Sequence, residues 1–420
     1  MKKTLLMIII MITTTSLFSL EKFRFSSNAE PTHNFELVTD IKLSDKLGDL
    51  FGHVRFSKPD FNNSGDIRLA WDRTGDYNYL YTYENDGKQV EERKFEAALG
   101  LGDNIDNRDS YGKAVDAVSP YGNYYAINEY LEPPQKGIHR KNITRLYDRN
   151  HNLLWQKTLE KATISTINEK GISKINMDYN NSVLYDKNGN YVTKLLNEKE
   201  ILNQVGVENK TSKRIKYKGW LLTDKILYTV SNGSELDMED FAKIFDGKAF
   251  ILPATMSGEF IGKSVSFKAE SFAGKTEFSW NDNFVYTHSL TDYGILYNIM
   301  DQKIVTKIQG YTGQHVYSPN ESIALLKGYV VDTQSGEKLK WIGTAARVAI
   351  ADKDYPFVAF MDGDYLYVGN YETEEVIIKD KFTNKRYTGG CDKIQISGNG
   401  KEVSVVFRDM YRKYRVGGRK

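Results

Sequence analysis

The chain has 420 residues, 40% of them hydrophobic and 27% charged, enough apolar material for a core and too much for wholesale disorder. Lys and Arg number 57 against 55 Asp and Glu, and a net charge of +2 is too even to draw nucleic acid or an anionic membrane surface. One cysteine, Cys391, excludes an intramolecular disulfide, so stability has to come from packing.

The N-terminus reads as a targeting signal. Lys2 and Lys3 precede an apolar run from Leu5 to Ile12, continued weakly by Thr13, Thr14 and Thr15, with small residues at Ser16 and Ser19. That core is too short and too rich in threonine for a spanning helix of about twenty residues, and the pattern predicts a cleaved export signal and short linker over residues 1–29. No cysteine follows the run, and no later stretch is long enough to span, so neither lipid attachment nor a membrane span after signal removal is expected.

Past residue 30 the pattern is strand, tight turn, strand. Phe35 to Leu43 is a lone strand. A four-strand unit then recurs. Its first strand ends in a turn such as Ser119-Pro120-Tyr121-Gly122, Ser318-Pro319-Asn320 or Ser397-Gly398-Asn399-Gly400, and an apolar second strand follows. The third strand closes on an apolar or aromatic pair plus Asp or Asn, at Asp148, Asp186, Asp246, Asn298, Asp332 and Asn370. Turns such as Lys187-Asn188-Gly189-Asn190 lead to the fourth; Asn-Gly supplies the positive φ that a tight hairpin needs. One such sheet cannot bury both faces alone, so copies must stack.

Ser119-Pro120-Tyr121-Gly122-Asn123 and Ser397-Gly398-Asn399-Gly400-Lys401 resemble the Ser-Pro-Asp-Gly-Lys turn of TolB-type and other WD-repeat-like propellers. Tyr365-Leu366-Tyr367-Val368-Gly369-Asn370 resembles the Tyr-Val-Thr-Asn blade motif. The resemblance implies a fold and no particular function. Units are expected near 51–97, 112–160, 161–197, 214–254, 276–309, 312–343, 345–380 and 391–416. The expectation is therefore an all-β chain, a single β-propeller over residues 30–420 of seven or eight four-stranded blades. Eight is favoured, because the last unit has only three strands and Phe35–Leu43 would supply its fourth and close the ring.

In such a meander the connections between second and third strands, and between units, emerge on one face. The long ones fall there, at 98–111, 130–141, 197–212, 232–240 and 256–275, so a protein or glycan partner is expected on that loop-rich face. Asp106, Asp109, Tyr111 and Tyr130 are the candidate ligand-binding residues. The run Asp103–Asp109 lacks the Asp-x-Asp-x-Asp-Gly order that wraps a calcium ion. The six histidines (33, 53, 139, 151, 288 and 315) are scattered without metal-ligand spacing. Phosphate loops and Gly-x-Ser-x-Gly elbows are absent. No catalytic residue, metal or cofactor is assigned, and a monomeric, non-enzymatic binding module is expected. The alternative is a propeller hydrolase or lyase, with acids gathered from several blades at the channel mouth.

Overall fold

The computed structural model describes residues 30–42, 53–56, 67–74, 77–83, 88–99, 110–131, 141–160, 162–177, 181–208, 216–231, 248–268, 276–288, 293–309, 315–343, 347–382, 393–407 and 410–420. Among them, β1 (His33–Lys42) comes first. Unit one holds β2 (His53–Phe56), β3 (Ile67–Thr74), β4 (Tyr77–Tyr83) and β5 (Gln89–Leu99). Unit two holds β6 (Ser110–Val118), β7 (Tyr124–Tyr130), β8 (Lys141–Asp148) and β9 (Leu153–Glu160). Unit three holds β10 (Thr163–Ile167), β11 (Ser173–Asn176), β12 (Ser182–Tyr185) and β13 (Tyr191–Lys194), with α1 (Glu198–Val205) after it. Unit four holds β14 (Lys216–Leu221), β15 (Lys225–Ser231), β16 (Lys248–Thr255) and β17 (Val265–Lys268). Unit five holds β18 (Thr276–Phe278), β19 (Phe284–His288), β20 (Tyr293–Asn298) and β21 (Lys303–Gln309). Unit six holds β22 (His315–Tyr317), β23 (Ile323–Leu326), β24 (Tyr329–Asp332) and β25 (Lys338–Trp341). Unit seven holds β26 (Val348–Ile350), β27 (Phe357–Asp362), β28 (Tyr365–Asn370) and β29 (Val376–Lys381). Unit eight holds β30 (Lys393–Ile396), β31 (Glu402–Phe407) and β32 (Met410–Arg419), with β1 paired antiparallel to β32 as its fourth strand.

Every unit is an antiparallel meander, and units one and two run on as one eight-stranded sheet through the β5–β6 pairs Ala97↔Gly112 to Leu99↔Ser110. First strands touch first strands, β6 with β10, β22 with β26 and β26 with β30, so in these units the first strand lies inward and the fourth at the rim; unit one differs, its fourth strand β5 pairing with β6. The result is a propeller-like array of eight four-stranded units among the described residues.

Short apolar strands form because both of their faces are covered. In unit five, Val285, Ile295 and Tyr297 pack on Leu227 and Ile251 of unit four. The alternate residues Phe284, Tyr286 and Leu296 pack on Tyr317, Ala324 and Leu326 of unit six. Equivalent apolar layers fill every step from units one and two to units seven and eight. Unit eight turns its Ile394, Val403, Val405 and Tyr414 face to unit seven. Its other face carries a buried polar row in register, Gln395, Ser404, Lys413 and Thr39.

The recurring turns have a local cause. Ser119, Ser279, Ser318 and Ser397 each accept with Oγ the backbone N–H five residues on, at 2.9–3.2 Å. Asp148 and Asp186 each accept two backbone N–H groups and the side-chain amide of Asn152 or Asn190, which starts the turn into the fourth strand. Asn298, Asp332 and Asn370 do the same with backbone N–H groups.

Three sequence expectations are corrected. Asp246 does not end a third strand: it precedes β16 and lies outside the described residues, and the turn there is started by Thr255, whose Oγ1 accepts from Glu259 N at 3.1 Å. The connection expected over 256–275 contains β17, the fourth strand of unit four. The connection expected over 197–212 contains α1, which Asn197 and Glu200 start with a reciprocal capping box.

Candidate functional site

Of the sequence-predicted residues, Tyr111 and Tyr130 stand at one end of unit two. Asp106 and Asp109 lie outside the described residues. Tyr111 stands on β6 opposite Ala98, one step from Gly112, and Gly112 pairs with Tyr130 on β7. The start of β6 and the end of β7 are therefore adjacent, and the connections 100–109 and 131–140 spring from that same end. By the same alternation, the connections at 232–247, 269–275 and 382–392 share this face. The last of these, between units seven and eight, was not among the long connections expected from the sequence.

From unit two to unit eight, the opposite face carries side chains that bind one unit's first turn to the next. Glu169 of unit three accepts Tyr121 N, Asn123 Nδ2 (2.8 Å) and Ser119 Oγ (3.4 Å) of unit two. Asn168 Nδ2 donates to Leu222 O of unit four at 2.9 Å. Asp282 of unit five accepts Thr223 N at 2.8 Å and Thr223 Oγ1 at 2.9 Å. Glu321 of unit six accepts Asn281 N and, at 2.7 Å, Asn283 Nδ2 of unit five. Asp352 of unit seven accepts Asn320 N at 2.9 Å and donates its own N–H to Gly398 O of unit eight at 2.9 Å. Across this belt the Tyr121 ring of unit two stacks on Trp280 of unit five, centroids 6.5 Å apart.

Two of these acids occupy a special backbone position. Gly122 and Gly400 adopt φ +76° and +69° at the fourth place of the serine turn, and the same place holds Asp282 at +60° and Glu321 at +62°. A left-handed residue with a side chain costs roughly 1–2 kcal/mol, so these acids are held there by what their carboxylates bind. His151 is a parallel case: Asp148-Arg149-Asn150-His151-Asn152 aligns with Asp186-Lys187-Asn188-Gly189-Asn190, and His151 at φ +67° stands where unit three has Gly189. Its ring bonds Tyr125 OH at 2.9 Å and Glu91, and Arg93 donates to Tyr125 OH at 3.3 Å and to Glu91 at 2.7 Å. Burial raises the Glu91 pKa, but Arg93 and His151 outweigh it and hold the carboxyl below its usual range. Tyr125 is buried and the His151 ring only 9% exposed, so this cluster joins unit one to unit two.

Inward, an acid and an imidazole approach each other from units five and six. Glu277 on β18 is half exposed, with its carboxylate 3.4 Å from Nε2 of buried His315 on β22. The His315 ring lies 4.9 Å from that of Tyr286. Burial first, then Glu321, Glu277 and Tyr286, raise the Tyr317 hydroxyl well above the ordinary phenol range. Glu277 and His315 come from two neighbouring units, and their contact sets an acid beside an imidazole. On unit two, Asn128 donates to Asp116 and accepts from Thr144 Oγ1. Among the described residues no three His, Cys, Asp or Glu side chains converge as a metal site. Sequence reading scattered His315 among the histidines. Its one signal was position, three residues before Ser318 on an inward strand.

Comparison with known proteins adds little to this geometry. No protein-family model matches the chain, and no curated protein matches it. Among solved structures the chain is similar to BamB from Moraxella catarrhalis, over 91% of this chain and 100% of that one, at 12% identity and a TM-score of 0.48. No helix among the described residues is long and apolar enough to cross a membrane.

Proposed function

We propose that the protein is an exported cell-envelope propeller that works as a non-enzymatic scaffold, meeting a protein or glycan through the face that carries the long connections. In this reading residues 1–29 direct export, residues 30–420 form one domain, and pairing of β1 with β32 closes the ring of a monomer. The observation that carries it is the difference between the two faces. One is locked turn to turn by Glu169, Asp282, Glu321 and Asp352. The other carries the long connections except 57–66 of unit one, with Tyr111 and Tyr130 at the roots of two of them. Long loops on a rigid frame are where partners are usually met.

The test is photocrosslinking in the envelope from a benzoylphenylalanine placed at Tyr111 or Tyr130, with Asn150 on the locked face as control. A discrete protein or glycan adduct from the first two positions alone supports the reading. Recovery of nothing, or of adducts from Asn150 only, overturns it. The second reading, a hydrolase or lyase, is favoured by the Glu277–His315 pair. It requires glycan- or ester-cleaving activity that Glu277→Gln and His315→Gln both abolish without unfolding the protein.

A further inference from the structure

The step between units two and three is sealed inside and left open at the rim. Inside, Ala126, Leu146, Ile164 and Ile175 pack together and are buried. At the rim, Trp155 of β9 is 7% exposed and meets half-buried Tyr185 of β12, ring centroids 6.3 Å apart. Tyr191 of β13 is the register partner of Tyr185, stands edge-on to it at 6.1 Å, and is 59% exposed. Lys157, two residues beyond Trp155 on β9, holds its ammonium 4.6 Å from the Tyr185 ring centroid. Lys194 of β13 is exposed, and its register partner Val183 packs into this same step, which places Lys194 on the face that carries Tyr191. Neither lysine has a carboxylate partner among the described residues. The acid nearest in the chain, Asp186, is turned to its own hairpin, where it accepts Asn188 N, Asn190 N and Asn190 Nδ2. The Trp155 indole N–H is buried without an acceptor.

A ladder of rings that ends in an exposed tyrosine is the composition of an interface anchor, because Trp and Tyr supply large contact area at small entropic cost. The charge beside it is unmatched and positive, so the complementary partner is acidic. The cation–π contact keeps the Lys157 ammonium at the edge of the rings, where a partner's carboxylate can meet it. We propose that Tyr185, Tyr191 and Lys157, backed by Trp155 and flanked by Lys194, form a docking patch for a segment of a partner protein that carries an acidic side chain beside an apolar one. The apolar side chain covers the tyrosine rings and the carboxylate pairs with Lys157. Two lysines are too few for a nucleic acid, whose successive phosphates each call for a cation. The inference goes beyond the scaffold reading, because the patch lies at the rim of two units and not among the long connections.

Fluorine NMR reads the patch directly. The protein labelled with 5-fluorotryptophan gives five signals, one for each tryptophan, and Trp155→Phe assigns the one at the patch. The probe is an acetylated hexapeptide of alternating glutamate and phenylalanine; the same peptide with lysine for glutamate is the control. We expect the acidic peptide to move the Trp155 signal and the lysine peptide to leave it in place. Tyr191→Ala and Lys157→Ala should each weaken binding of the acidic peptide by about tenfold, and Lys157→Glu should remove the preference for it. A Trp155 signal unmoved by millimolar acidic peptide, or moved equally by both peptides, overturns the patch. Movement by oligothymidylate and not by the acidic peptide overturns the protein partner in favour of a polyanion. The wild-type titration stands even where a variant fails to fold.

Discussion

Replacing Glu321 by glycine sets two opposed effects against each other. Glu321 sits at φ +62° in the turn position that units two and eight give to Gly122 and Gly400. Glycine relieves the left-handed strain, worth about 1 kcal/mol, so a residue retained without reason would be improved by the change. Yet Glu321 is only 3% exposed, and its carboxylate accepts Asn281 N and Asn283 Nδ2 (2.7 Å) of the preceding unit. Hydrogen bonds to a charged group contribute roughly 1.5–3 kcal/mol each, so losing both outweighs the relief and leaves a net loss of about 2–5 kcal/mol. Urea unfolding followed by circular dichroism reads this as a lower midpoint at unchanged slope. Asn283→Ala should lose much of its own effect when combined with Glu321→Gly, because the bond is already gone. A Glu321→Gly protein more stable than wild type by about 1 kcal/mol would refute the clasp and leave the acid as mere strain.

Three further outcomes are expected. Lys353 and three donors from Gln334 and Ser335 outweigh burial and hold Asp332 down to about 2, below its ordinary 3.8. Because the folded pKa is depressed, its contribution, about 1–2 kcal/mol, is complete above pH 4 and lost as pH falls toward 2; Asp332→Asn should flatten that limb of an acid-unfolding curve. Deleting residues 30–42 removes eight register pairs with β32 and the Arg412–Asp40 bidentate bond at 3.1 and 3.2 Å, so the melting temperature should fall far more than on trimming 417–420. Equal shifts would remove β1 from any role in holding the array together. Gly294→Ala puts a Cβ into the buried Tyr286 side chain, which has no room to retreat, and should cost about 1–3 kcal/mol in the same urea assay.

Much of the array is legible along the chain because its signals are local. A serine that bonds an N–H five residues on, an Asp or Asn that starts a turn, and an Asn-Gly hairpin all act within one turn. Ser119, Asp148 and Asp186 therefore announce their strands without help from the rest of the fold. Thr255 in unit four escaped because a threonine does the work of the usual acid or amide there. Helix α1 escaped too, although its Asn197–Glu200 capping box was in view.

By itself the sequence determined the four-strand unit and its near-eightfold recurrence, since hairpin chemistry and period-two alternation depend on near neighbours only. Tertiary structure alone decided which side chains meet across units. Glu321 and Asp282 read as misfits in a glycine position until Asn283 and Thr223 of the neighbouring unit arrive to bind them. Lys174 donates to the carbonyl of Gly219, 45 residues on, and Glu277 and His315 are 38 apart. No spacing rule joins such pairs, because stacking of whole units, not any local bond, sets which inward strands lie side by side.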